Sequence, residues 1–99
     1  MINEFKAWFR MNEQRLKNGL IQVEIEQRDD PTEVIKAVLE NEMHIASIIH
    51  WEIGALDVDV LSLSEGKSIF ARRYDLENPN EITLVLEEVA SKFLHRSFD

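Results

Sequence analysis

HIASIIHWEIGALDVDVLSL, residues 44–63, is the stretch on which the fold turns. Its first half is rich in isoleucine and carries Trp51. Its second half alternates Leu56, Val58 and Val60 against Asp57, Asp59 and Leu61, and Gly54 stands between the halves. β-Branched and aromatic residues on either side of a turn glycine read as two strands folded back on each other. A central hairpin is therefore expected. In its first strand Ile45, Ile49, Trp51 and Ile53 share one face, while His44, Ala46, Ile48, His50 and Glu52 share the other. Neither face is fully polar, which places the strand inside a sheet rather than at its edge.

Downstream, Ser64-Glu65-Gly66-Lys67 supplies a second hairpin connection, and residues 68–75, SIFARRYD, read as the last strand. Asn78-Pro79-Asn80-Glu81 then opens a helix, with Asn78 as cap, Pro79 at the first helical position and Glu81 reaching back. Ile82, Val85, Leu86, Val89, Phe93 and Leu94 form its apolar stripe, and Glu87, Glu88, Ser91 and Lys92 its outer face.

Upstream, Asn41-Glu42 makes a turn, and before it TEVIKAVLENE can be read two ways. Asp30 as N-cap, Pro31, Glu33 and the spacing of Val34, Ile35, Val38 and Leu39 favour a helix; the short length and β-branched content favour a strand. Residues 20–28, LIQVEIEQR, alternate Ile21, Val23 and Ile25 with Gln22, Glu24 and Glu26, as a half-buried strand does. Residues 2–18 place Ile2, Phe5, Trp8, Phe9 and Leu16 on one side of a helical period, and Gly19 is expected to end that helix in the left-handed conformation. The expected fold is α+β: an N-terminal helix, an antiparallel meander of four to five strands and a C-terminal helix, with both helices on one sheet face. Residues 1–99 form a single expected domain, since three glycines, two prolines and no repeat leave little room for a linker.

Composition narrows the function. The net charge of −8 disfavours nucleic acid and anionic membrane surfaces as partners. Between residues 20 and 65 eleven acids face only Arg28 and Lys36, so the acidity belongs to the sheet. The chain has no cysteine, no apolar run of membrane-spanning length and no signal-peptide core at its start, and a cytoplasmic location is expected.

No catalytic or cofactor motif is present. His44 and His50, six apart on a strand, stand about 20 Å apart along it and cannot share one ion. Without cysteine or a zinc-binding histidine spacing, no metal or cofactor is expected. Asp57 and Asp59 project from one face, a placement open to acid–base chemistry, to solvation of an outer strand, or to partner binding. With the expected pairing, Glu24, Glu26, His50, Glu52, Asp57 and Asp59 face away from the helices as an acidic plate. Trp51 beside it is either an interface anchor or a core residue. Such a plate steers a basic partner, with association rates up to about 10⁸–10⁹ M⁻¹s⁻¹ at low salt.

The order of these residues, IIHWEIGALDVDVLSL with its Trp-Glu-x-Gly turn, then SEGKSIFARRYDL and a leucine-rich closing helix, resembles the TriTu family of immunity proteins. The N-terminal Phe-x-x-Trp-Phe helix is similar too. Trp51, Glu52, Gly54, Asp57 and Asp59 sit where that family has its tryptophan–glycine turn and acidic strand. The resemblance implies a strand at residues 32–41. It also implies a non-enzymatic cytosolic protein of a bacterial polymorphic toxin system that neutralises a cognate toxin domain, expected to be basic, as a nuclease is. The competing classes are an acidic adaptor subunit with no toxin partner and, more remotely, a small carboxylate enzyme.

Overall fold

Five strands follow one another in space in the order in which they occur in the chain. The computed structural model describes residues 2–29 and 31–98. Strands β1 (Gln22–Arg28), β2 (Val34–Glu40), β3 (His44–Trp51), β4 (Ala55–Ser62) and β5 (Lys67–Asp75) form an antiparallel meander. Helices α1 (Ile2–Met11) and α2 (Glu13–Asn18) precede it, and α3 (Asn80–Leu94) closes it. The ambiguous segment is a strand: β2 pairs with β1 and β3, and Ile35, Ala37 and Leu39 alternate into the core. Asp30, the N-cap of the helical alternative, lies outside the described residues.

One face of the sheet carries the core. Ile35, Ala37, Leu39, Ala46, Ile48, Leu56, Val58 and Val60 are buried there against Phe5, Trp8 and Phe9 of α1, Leu16 of α2 and the α3 stripe Ile82, Val85, Leu86, Val89 and Phe93. The N-terminal and C-terminal helices thus lie on the same face. The first helix breaks at Asn12, whose side-chain amide donates to the Trp8 carbonyl at 2.9 Å while its backbone N–H donates to the same oxygen at 3.0 Å. The backbone of Asn12 departs from helical values, at φ −107° and ψ 9°, and the single helix expected over residues 2–18 becomes two.

The stop at the end of α2 differs from the expected one. Ile21 N–H bonds to the Leu16 carbonyl and Leu20 N–H to that of Lys17, each at 3.0 Å, the hydrogen-bond pair of a Schellman motif. Its left-handed residue is Leu20, at φ 61°, and Gly19 keeps φ −85°. A Cβ at Gly19 would meet the end of the Leu94 side chain of α3, which would have to move aside. Leu20 is 74% exposed, so its side chain returns little for the strain. Leu20→Gly is therefore expected to stabilise the protein by about 0.5–1 kcal/mol in urea unfolding, with the midpoint rising at unchanged slope.

At α3 the expected capping box is half present. The Glu81 carboxylate accepts the backbone N–H groups of Glu77 at 2.6 Å and Asn78 at 3.3 Å. Pro79 holds the N-cap position and offers no side-chain bond.

Candidate functional site

The sheet face turned away from the helices is built by the register. Glu26, Lys36, Ile49, Asp57 and Arg73 form one row across all five strands, and Glu24, Val38, Ser47, Asp59 and Ala71 form the next. Val38, Ile45, Ile49 and Trp51 are half-buried on this open face, and Leu61 is 37% exposed. The central strand thus presents Ile45, Ile49 and Trp51 on either side of Ser47 to a face that no helix covers.

Its polar groups are held in place. The Trp51 indole N–H donates to Asp57 Oδ2 at 3.1 Å, and Arg73 Nη1 approaches the same carboxylate at 3.3 Å from β5. Ser68 donates its hydroxyl to Asp59 Oδ1 at 2.7 Å. Ser47, Ile49, Asp57, Asp59, Ala71 and Arg73 line a shallow depression of about 490 Å³. Each carboxylate keeps acceptor capacity, since an ionised carboxylate offers about four lone-pair sites.

The expected partner-binding residues separate into three groups. Glu24, Glu26, Asp57, Asp59 and Trp51 share the open face. Glu52 lies on the exposed turn between β3 and β4, its backbone N–H donating to the Glu33 carbonyl at 3.0 Å. His50 does not belong with them: it is fully buried beneath the helices, its ring stacked on Phe5 with centroids 5.8 Å apart. The helices cover the face of His44, Ala46, Ile48 and His50. The bulkier Ile45, Ile49 and Trp51 face outward.

Arg72-Arg73 is expected from the sequence to balance the neighbouring acidic strand by cross-strand pairing, and in the structure Arg73 tethers Asp57 across β4 and β5. One residue important to this surface was not singled out from the sequence. Ile53, at the tip of the turn beside Trp51, is 82% exposed. The face is also of mixed sign: Glu24, Glu26, Glu40, Asp57, Asp59 and Asp75 outnumber Arg28, Lys36 and Arg73 on it. Much of the acidity of residues 20–65 resides in turns instead.

His50 makes folding sensitive to pH. Its Nδ1 lies 3.1 Å from the Ala55 carbonyl, which can only accept, so Nδ1 carries the proton. Nε2 is buried without a partner, and burial, the largest influence, lowers the pKa below its ordinary value of 6.5. The unfolded chain therefore binds the extra proton more readily. Stability is expected to be at its plateau above about pH 6.5 and to fall as the pH drops from there to the lowered folded-state value. In urea melts across that window, His50→Leu should flatten the slope; an unchanged slope would remove His50 as its source.

Among the described residues no three histidine, aspartate or glutamate side chains converge as metal ligands, and no helix is long and apolar enough to cross a membrane. Comparison with curated proteins gave no match. The family model of the immunity protein TriTu matches residues 3–92, a span that takes in both halves of the broken first helix, all five strands and most of α3. With nearly its whole length matched, this chain belongs to the TriTu immunity protein family.

Proposed function

We propose that this protein is a cytosolic, non-enzymatic immunity protein that binds a cognate toxin domain through the open face of its sheet. Membership in an immunity protein family implies a toxin-neutralising role and a protein partner. One observation supports the choice of face: half-buried Ile45, Ile49 and Trp51 lie uncovered along its central strand with charged residues around them. An apolar centre inside a polar rim is the usual anatomy of a protein interface, and tryptophan is enriched among its hot spots.

The excess of carboxylates on this face favours a basic partner, and a nuclease fits that chemistry. Trp51 acts as an anchor pre-positioned by Asp57, and Glu52 and Ile53 extend the contact over the adjoining turn. Neutralisation then proceeds by stoichiometric occlusion of the toxin.

Co-expression with the C-terminal domain of the protein encoded just upstream in the native genome tests the reading. Growth rescue with equimolar co-purification is the expected outcome. If the neighbouring domain kills regardless and never co-purifies, the protein is an adaptor of another assembly.

A further inference from the structure

The sheet ends on β1, and among the described residues no strand pairs with its outer edge. Unpaired edges are templates for another strand. The two sides of this edge differ in charge. On the open side Glu24 and Glu26 project, with Arg28 at the end of the strand; on the helix side Val23 and Ile25 look into a groove of about 780 Å³ beneath α1 and α2. The helices stop short of β1, leaving Ile25 44% exposed. Around that groove stand Lys6, Arg10 and Lys17 with a single acid, Glu13, on a chain of net charge −8.

We propose that β1 accepts an extended segment of the toxin as a sixth strand of the sheet. Its residues alternate between lysine or arginine on the open side, opposite Glu24 and Glu26, and apolar or acidic residues on the groove side. Main-chain hydrogen bonds supply affinity in such strand addition, and the side-chain surroundings supply specificity. A second copy of this chain fits poorly. Antiparallel self-pairing centred on Ile25 sets Glu24 opposite the Glu26 of the other copy, and directly opposed like charges destabilise a sheet. The inference rests on the immunity reading and adds to it a contact edge that the open face does not contain.

The test uses the full chain with the neighbouring toxin domain, followed by amide hydrogen exchange of residues 22–28 and by affinity. Exchange in β1 is expected to slow at least about tenfold in the complex. Ile25→Glu, which sets a carboxylate against the apolar or acidic groove-side residues of the segment, is expected to weaken binding about tenfold or more at unchanged melting temperature. A complex that protects β3 and β4 but leaves β1 exchange and Ile25→Glu affinity unchanged overturns this inference alone. Absence of any complex overturns the immunity reading with it. Protection of β1 in the isolated chain, together with a dimeric mass, assigns the edge to a second copy and also overturns the proposal.

Discussion

Asp57→Lys together with Asp59→Lys is expected to lower affinity for the toxin about 100-fold or more, and to abolish the weakening of binding by salt that the native protein should show. Both carboxylates line the depression on the open face, and Asp57 also fixes the Trp51 indole. Reversing them acts in two ways. It removes the attraction that speeds encounter with a basic partner, and it loosens the aromatic anchor. Lysine at position 57 also faces Arg73, a like-charge pair across β4 and β5 that costs up to about 1 kcal/mol of stability. The milder pair Asp57→Asn and Asp59→Asn keeps the shape and a hydrogen-bonding oxygen, and about a tenfold loss is expected from it. Titration calorimetry at low and high salt measures both. Native affinity and native salt dependence in the lysine variant would move the contact off this face.

Gly54→Ala is expected to cost about 3 kcal/mol or more in urea unfolding, because strain and collision act together. Gly54 has φ 103°, a conformation that L-residues rarely adopt. A Cβ at that position would also lie 2.9 Å from the Leu76 carbonyl oxygen, which is backbone and cannot swing aside. The same residue accepts the Leu76 N–H at 2.9 Å and donates to the Trp51 carbonyl at 2.9 Å. It therefore ties the β3–β4 turn to the segment leading into α3. Gly66 separates the two effects. It has φ 67°, and a methyl group there would meet nothing within 4 Å, so Gly66→Ala is expected to cost only about 1 kcal/mol. Equal costs at the two sites would show that the approach to Leu76 plays no part.

The hairpins, the α3 stripe and the order of elements were legible because each rests on a local signal: a turn glycine, a two-residue alternation or a helical period. Residues 32–41 were not legible locally. Pro31, Glu33 and the Val34-Ile35-Val38-Leu39 spacing suit a helix, and only pairing with strands on both sides makes a strand the better burial. The resemblance to TriTu proteins supplied that missing tertiary information. His50 failed for a related reason: β3 is apolar on both faces, so alternation could not say which face the helices would choose. Packing against Phe5 decided it. At the first helix stop, glycine next to a boundary suggested backbone freedom, whereas the left-handed residue is Leu20 and Gly19 packs beside Leu94.

The meander order of the sheet also bears on how quickly the protein becomes useful. Every strand hydrogen-bonds to its neighbour in sequence, so the sheet can grow hairpin by hairpin without waiting for a distant partner. The two ends of the chain are joined where α1 and α2 meet α3. Topologies dominated by local pairing fold faster than sheets assembled from remote strands. With no disulfide to form, a newly synthesised chain reaches its binding-competent state with little delay, an advantage for a protein that has to be ready before its target acts.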